Sequence, residues 1–121
     1  MNETILEGVG NNPIVNKSFL FALEIIQYAE ALENDRKYVT SNQLLKSGTS
    51  IGANVWESQH AESRADFIHK LKIAAKEAKE TEYWLLLCKY SIGYPDISDK
   101  LGKLLEIQKL LSKIISSSKK N

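Results

Sequence analysis

The stretch DFIHKLKIAAKEAKETEYWLLLC, residues 66–88, decides the fold of this 121-residue chain. In and around it, apolar or small residues recur at alternating steps of four and three, the spacing of a helix packed in a left-handed bundle. These residues are Phe67, Leu71, Ala74, Ala78, Thr81, Leu85, Cys88 and Ile92. Ser63 followed by Asp66 resembles a capping box at the start of this helix. The segment Gly93-Tyr94-Pro95 ends it, because proline cannot continue a helix.

Three more helices are predicted by the helical spacing of apolar residues elsewhere in the chain. The first opens at Pro13, where the missing N–H of proline is tolerated, and extends to about Asn34. The second is expected to begin at a cap formed by Thr40 or Ser41, whose hydroxyls can accept a backbone N–H bond. The fourth is expected to begin at a cap formed by Ser98.

No segment alternates between apolar and polar residues with the period of two that a strand would show. The sequence therefore predicts an all-α protein, an antiparallel up-down-up-down four-helix bundle with short connections. We expect residues 13–116 to form this single domain. A flexible leader at residues 1–12 and a frayed tail at residues 117–121 would flank it.

The second helix contains two glycines, Gly48 and Gly52, in the middle of its sequence. Each costs about 1 kcal/mol of helix propensity relative to alanine, so their presence needs a reason. Because they are four residues apart they lie on one face, where they would let the backbone of a neighbouring helix approach closely. The alternative is a break of the helix near Gly48.

The composition excludes several classes of protein. Sixteen basic and 15 acidic residues give a formal net charge of +1, which argues against a strongly cationic nucleic-acid tail or a membrane-surface peptide. Cys88 is the one cysteine, so the chain can form neither an internal disulfide nor a multi-cysteine zinc site. The sequence shows no secretory signal and no run of about 20 apolar residues, so we expect a cytoplasmic protein without a membrane partner.

Two features of the sequence favour self-association. The apolar stripe of the fourth helix is wider than one antiparallel neighbour needs; it contains Leu101, Leu104, Leu105, Ile107, Leu110, Leu111, Ile114 and Ile115. Trp56 and Trp84 either fill the core or anchor a partner subunit.

Residues 1–35 carry a net charge of −5 and residues 98–121 a net charge of +4. The first and fourth helices could therefore pair within the bundle or between subunits, or simply present solvated charges.

The residues that could carry catalysis or hold a metal are sparse. Glu57-x-x-His60 and Asp66-x-x-His69 resemble half of a two-metal bundle site, but only the first is a true Glu-x-x-His motif and it lies near a turn. Cys88 lies on the apolar stripe and is far from both histidines. No glycine-rich phosphate loop precedes a lysine. We therefore expect no enzyme activity, no metal and no cofactor, with a metal-binding bundle as the weakest alternative.

Basic residues follow the outer faces of the third and fourth helices. Lys72, Lys76 and Lys79 share one strip of the third helix, and such strips can neutralise phosphates without reading sequence. The candidate nucleic-acid-binding residues are Arg64, Lys70, Lys72, Lys76, Lys79, Lys103, Lys109 and Lys113. The alternative is an ordinary solvated helix face, since Glu80 and Glu82 are interleaved with the lysines.

Three strings of sequence carry a family resemblance. They are SIGANVWE at residues 50–57, Ser63-x-x-Asp66-Phe67, and KLKIAAKEAKETEYWL at residues 70–85. In this order and separation they closely resemble the bacterial four-helix-bundle proteins encoded in 23S rRNA intervening sequences, often labelled ribosomal proteins. The resemblance extends over roughly residues 14–115.

This resemblance implies an antiparallel four-helix bundle that assembles as a ring-shaped homopentamer. Related proteins include the accessory variability protein of diversity-generating retroelements, which binds nucleic acid and a reverse transcriptase. The location of the genes within rRNA suggests a connection with RNA. The expected function is therefore a non-enzymatic oligomer that binds RNA or a ribonucleoprotein through its basic helix faces. The alternative is a protein–protein adaptor without affinity for nucleic acid.

Five polar residues are expected to form structural networks within or between subunits and to have no catalytic role. They are Asn54, Glu57, Glu77, Glu80 and Thr81. Asn54, if buried, needs a hydrogen-bond partner, for which Glu80 or Thr81 on the third helix are the candidates.

Overall fold

The protein is described here by a computed structural model of residues 6–120, which contains four helices. They are α1 (Pro13–Asn34), α2 (Tyr38–Ser58), α3 (Arg64–Tyr90) and α4 (Lys100–Ser118). Consecutive helices pack against each other, and α1 packs against α4 to close the bundle. Within residues 6–120 there are no strands, only an isolated bridge between Leu6 and Gly10. The predicted all-α four-helix bundle is confirmed. Residues 1–5 of the predicted leader and residue 121 of the predicted tail lie outside the described residues.

The core is built from one apolar stripe of each helix. Fully buried side chains include Phe21, Ile25, Leu32, Leu44, Ile51, Val55, Leu71, Leu85, Leu104, Ile107 and Leu111. The predicted stripe of α3 is buried from Leu71 to Cys88. Ile92 does not continue it, because α3 ends at Tyr90 and Ile92 is fully exposed. The helix stops before Ile92 because Ser91 is extended and Gly93 adopts a positive φ of 82° ahead of Pro95.

The predicted cap of α3 is confirmed. The Ser63 hydroxyl accepts a hydrogen bond from the Asp66 backbone N–H at 3.0 Å. The Asp66 carboxylate accepts a bond from the Glu62 backbone N–H at 3.3 Å, one residue earlier than in a standard capping box. Asn12, which the sequence analysis missed, caps α1 by accepting from the Ile14 N–H at 3.2 Å.

The predicted caps of α2 and α4 are wrong. The helix α2 begins at Tyr38, before Thr40 and Ser41, and has no side-chain cap. The Ser41 hydroxyl instead donates to the Ala29 carbonyl oxygen of α1 at 2.7 Å, and the Thr40 and Tyr94 hydroxyls lie 3.2 Å apart. These hydroxyls are unavailable for capping because they form tertiary hydrogen bonds.

Ser98 fails as a cap for a different reason. It adopts a left-handed φ of 54°, and its backbone N–H donates to the Asp96 carboxylate at 3.0 Å. Asp96 thus stabilises a turn that places Ser98 outside the helix, and α4 begins at Lys100 after Asp99.

The two glycines of α2 let α1 approach closely, and the alternative of a helix break is wrong because α2 is continuous. A Cβ atom at Gly52 would lie 3.2 Å from the Ser18 carbonyl oxygen, which is the expected close approach of a backbone. A Cβ atom at Gly48 would lie 2.7 Å from Cγ2 of Ile25, so here the close neighbour is a side chain. Both positions favour glycine because a methyl group at either one would have to displace an atom of α1.

Candidate functional site

Seven of the eight predicted basic residues, all but Arg64, divide into two groups according to their neighbours. Three of them are held in ion pairs: Lys70 with Glu57 at 2.9 Å, Lys79 with Glu82 at 3.3 Å, and Lys103 with Glu24 at 2.5 Å and Asp99 at 3.5 Å. The pKa of Lys70 is raised by its hydrogen bond to Glu57, and that of Lys103 by its hydrogen bond to Glu24. Carboxylates therefore offset the charge of these lysines.

The second group lies on the outer surface of α3 and α4. Lys72, Lys76, Lys109 and Lys113 are all exposed. The antiparallel register of the two helices is fixed by Gln108, whose amide donates to the Glu82 carboxylate at 3.0 Å. In this register Lys113 lies level with Lys76 along the bundle axis.

The structure adds Lys119, which the sequence analysis had assigned to the tail. The pKa of Lys119 is lowered from its usual value by the neighbouring ammonium of Lys72. The third turn of α3 and the end of α4 thus place two positive charges near each other. We call Lys72, Lys76, Lys113 and Lys119 the basic patch. No spacing in the sequence pairs Lys119 with Lys72, because their proximity depends on the register of α3 and α4.

Arg64 lies at the same end of the bundle. It lines a shallow pocket of about 470 Å³ together with Phe67 and Ser118, and Ser118 directly precedes Lys119. Lys109 lies about one turn of α4 from Lys113, towards the opposite end. The predicted residues near the basic patch are therefore Arg64 and Lys109, while Lys70 and Lys103 face α2 and α1 respectively.

The five predicted polar residues do not form one network. Asn54 is half-buried and donates to the Ser50 carbonyl oxygen of its own helix at 2.9 Å, so the expected bond to Glu80 or Thr81 is absent. A local acceptor four residues earlier satisfies the amide and removes the need for a partner on α3. Glu80 accepts a bond from the Trp84 indole N–H at 3.2 Å.

Thr81 and Glu57 each join α2 to α3. The Thr81 hydroxyl donates to the Glu77 carbonyl oxygen at 2.7 Å and lies 3.0 Å from the Ser47 hydroxyl, with both side chains buried. Glu57 reaches Lys70 of α3. The Ser47 contact was missed because serine gives no helical-stripe signal of its own.

A cluster of aromatic and polar groups holds the connection between α3 and α4. The Tyr28 hydroxyl of α1 donates to the Pro95 carbonyl oxygen at 2.7 Å, and burial raises the pKa of this tyrosine above its usual value. The Lys100 ammonium lies 5.2 Å from the Tyr28 ring centroid. The sequence indicates such a contact only through the position of Tyr28 on the buried stripe of α1, because a buried tyrosine hydroxyl needs a hydrogen-bond partner.

The groups considered for metal binding or catalysis are dispersed. Within residues 6–120, no cluster of three or more histidine, cysteine, aspartate or glutamate side chains has a metal-binding arrangement. His60 and His69 are exposed, and Cys88 is buried. Burial raises the pKa of the Cys88 thiol, which disfavours the nucleophilic thiolate form.

The broad apolar stripe of α4 is largely covered within the bundle. Of its eight members only Leu105 is exposed, at 49%. The expectation that α4 presents surplus apolar surface is therefore wrong, because α1 and α3 cover both edges of the stripe.

The predicted contact between the first and fourth helices occurs within the bundle, where Lys17 lies 3.6 Å from Glu106 and Lys103 pairs with Glu24. Trp84 is half-buried and Trp56 is 43% exposed.

Among the four helices described, none is both long and apolar enough to cross a membrane.

Comparisons with known proteins agree with this architecture. The model of the family described as 23S rRNA-intervening sequence protein matches residues 10–117. The chain is similar to a crystal structure from Bacteroides thetaiotaomicron, a protein of unknown function from the S23 ribosomal protein family. The two share 47% sequence identity with a TM-score of 0.78, over 84% of this chain and 97% of the other. No curated protein matches the chain.

Proposed function

This chain belongs to the 23S rRNA-intervening sequence protein family, and from that premise we propose that it is a non-enzymatic, oligomeric scaffold that binds RNA or a ribonucleoprotein. It acts in the cytoplasm and assembles with copies of itself, with the ring-shaped pentamer implied by the sequence resemblance as the expected form. The basic patch on α3 and α4 is the surface that contacts the RNA backbone. The observation that carries the proposal is the net charge of +5 on α3 and α4, where Lys72, Lys76, Lys113 and Lys119 are exposed.

Neighbouring ammonium groups repel each other weakly in water, and an anion that binds near both of them is favoured. At the edge of α3 and α4 the Lys72 ammonium lowers the pKa of Lys119, whereas Lys70 and Lys103 elsewhere face carboxylates. A phosphodiester backbone supplies closely spaced anions, and a lysine is a flexible point charge that can reach them. The patch therefore supports phosphate contact without base recognition.

The distribution of charge over the bundle points to the same surface. The helices α3 and α4 together contain ten basic and five acidic residues, a net charge of +5. The helix α1 contains one lysine and three glutamates, a net charge of −2. This difference would orient a polyanion toward the α3–α4 side, although the net charge of the whole chain is only +1.

The test is a salt titration of binding to a fluorescein-labelled single-stranded RNA, measured by fluorescence anisotropy. Binding to phosphates releases counterions, so the association constant falls with salt by about 0.7 logarithmic units per contact for a single strand. The double variant Lys72→Gln/Lys119→Gln removes two contacts. We expect weaker binding at low salt and a salt slope that is smaller by about 1.4.

The matched control is Lys37→Gln/Lys46→Gln, which removes the same charge from the α1–α2 side. Circular dichroism checks that both variants are folded. We expect the control to bind RNA as the wild type does. Equal losses in the two variants would show that only total charge matters. No association of the wild type at low salt would overturn the RNA proposal and favour the alternative, a protein–protein adaptor without affinity for nucleic acid.

Light scattering tests the assembly separately. A pentamer has five times the 13.6 kDa mass of one chain. A monomer at all concentrations would contradict the oligomeric part of the proposal.

A further inference from the structure

The pocket beside Arg64 lies where the connection between α2 and α3 meets the end of α4, and it has a volume of about 470 Å³. Its lining combines an aromatic ring, a guanidinium group and several hydroxyl and amide groups. These belong to Phe67, Arg64, Ser58, Gln59, Ser63 and Ser118. We call this cavity the end pocket. An apolar surface with a few polar groups around it is typical of a small-ligand site.

Hydrogen bonds within the protein hold the walls of the end pocket in place. The side-chain amide of Gln59 donates to the Ser58 hydroxyl at 3.1 Å and accepts from the Asn12 amide at 3.4 Å. The Ser63 hydroxyl accepts a backbone N–H bond from the first turn of α3 at 3.0 Å. Phe67 is half-buried and packs against the core. A ligand therefore enters a pocket whose walls are already ordered, which lowers the entropic cost of binding.

The end pocket adjoins the basic patch. Ser118 lines the pocket, and Lys119, which directly follows it, lies near the Lys72 ammonium of α3. Each phosphate of a nucleic acid carries a nucleoside on either side. A backbone that contacts Lys72 and Lys119 therefore brings a base to the opening of the pocket.

The charged side chains around the end pocket also favour an anionic ligand. Residues 57–72 contain three acidic and three basic residues, and residues 113–120 add three lysines. Residues 6–12, which are hydrogen-bonded to this end of the bundle, add one glutamate, so the net charge is +2. At the opposite end, residues 28–40 and 89–103 together contain five basic and five acidic residues. The exposed tyrosines of that end therefore lack the positive surroundings that a polyanion requires.

We propose that the end pocket binds one unpaired base of an RNA strand whose phosphates contact the basic patch. This inference rests on the proposed function and deepens it by naming the form of RNA that fits. The base stacks on the exposed part of the Phe67 ring, a contact that tolerates every base because each has a π-face. A duplex keeps its bases stacked inside the helix, so the end pocket selects single-stranded RNA.

Two strands of equal length and charge test the pocket: a short single-stranded RNA, and the same strand with stable abasic residues in place of every nucleoside. Fluorescence anisotropy compares their affinities at low salt. We expect the wild type to bind the RNA at least about fivefold more tightly, the low end for one base–aromatic stack. Phe67→Leu keeps an apolar side chain but removes the ring. It should bring this ratio towards one and leave the salt slope unchanged, because no phosphate contact is lost.

The matched control is Phe19→Leu, the same substitution at a half-buried phenylalanine of α1 that lies outside the end pocket. It should keep the wild-type preference for the RNA over the abasic strand. Circular dichroism checks that each variant is folded. If Phe67→Leu is unfolded, Ala61→Gln replaces it, because Ala61 lines the pocket from the α2–α3 connection and a longer neutral side chain there narrows it.

The outcomes separate this inference from the proposed function. If the wild type binds both strands equally, or if Phe67→Leu keeps the preference, the pocket does not bind a base and only the phosphate contact stands. An equal loss in Phe19→Leu and Phe67→Leu also overturns the pocket. A duplex that binds as tightly as the single strand contradicts the selection of single-stranded RNA. If the wild type binds neither strand, the proposed function and this inference are both wrong.

Discussion

The buried hydroxyl pair of Ser47 and Thr81 gives the sharpest test of the helix packing. The two hydroxyls lie 3.0 Å apart between α2 and α3, and both side chains are fully buried. Thr81→Val removes one hydroxyl with little change of shape and leaves Ser47 with the Leu44 carbonyl oxygen at 3.4 Å, a poor contact. We expect this change to lower the free energy of unfolding by about 1–2 kcal/mol, because an unsatisfied buried hydroxyl is costly.

The double-mutant cycle isolates the contact itself. Ser47→Ala should cost about 0.5–1.5 kcal/mol, since Thr81 keeps its bond to the Glu77 carbonyl oxygen at 2.7 Å. The double variant removes both hydroxyls, so its cost should be smaller than the sum of the single costs by about 1 kcal/mol.

The assay is urea denaturation at a fixed protein concentration, because assembly would make stability depend on concentration. Ser50→Ala replaces Ser47→Ala in a control cycle, since the Ser50 hydroxyl donates to the Lys46 carbonyl oxygen of its own helix at 2.6 Å. We expect additivity in the control. Additive costs for Ser47 and Thr81 would refute the claim that this hydroxyl pair couples the two helices.

Two further predictions concern packing and pH. Gly48→Ala should destabilise the protein by about 1–3 kcal/mol, because its Cβ would lie 2.7 Å from Cγ2 of Ile25. Gly102→Ala, where no atom lies within 4 Å, should stabilise it by up to about 1 kcal/mol; thermal unfolding compares the two. Tyr28→Phe removes the bond to the Pro95 carbonyl oxygen and should cost about 1–2 kcal/mol at neutral pH. The raised pKa of Tyr28 means that the folded protein keeps a proton that the unfolded chain releases, so wild-type stability falls as pH rises above about 10. The difference between wild type and Tyr28→Phe should therefore shrink there, and a constant difference in urea titrations would contradict this assignment.

The long periodic segments were predictable because their apolar residues repeat on one helical face. The stripe from Leu71 to Cys88 is buried as expected. The prediction failed at the helix ends, where local chemistry allows several partners. A serine such as Ser41 can cap its own helix or form a hydrogen bond with a neighbouring helix. Its hydroxyl donates to the Ala29 carbonyl oxygen because α1 packs beside it in the folded bundle.

The candidate site was predictable in its charge and only partly in its geometry. The sequence shows which lysines are present, but the residues that face them come from distant segments. Glu24 pairs with Lys103 across 79 positions, and Lys119 meets Lys72 across the α3–α4 contact. The same limit applies to the apolar stripes. The sequence places surplus apolar residues on α4, whereas the most exposed apolar side chains of the helices lie on α2 and α3, where Val39 is 72% and Tyr90 76% exposed.

The basic patch lies around Lys72 and Lys76, near the beginning of α3, whereas the exposed Tyr83 and Tyr90 lie towards its end. From Lys76 to Tyr83 is about 10 Å along the helix axis, so a second copy that contacts these tyrosines need not cover the patch. An assembly of this kind repeats the patch once in every subunit. A backbone too weakly held by one patch would then be bound by several at once, which raises the effective concentration of each later contact. A monomeric variant with a folded patch should accordingly bind a long RNA more weakly than the wild type, while binding to an RNA short enough for one patch remains unchanged.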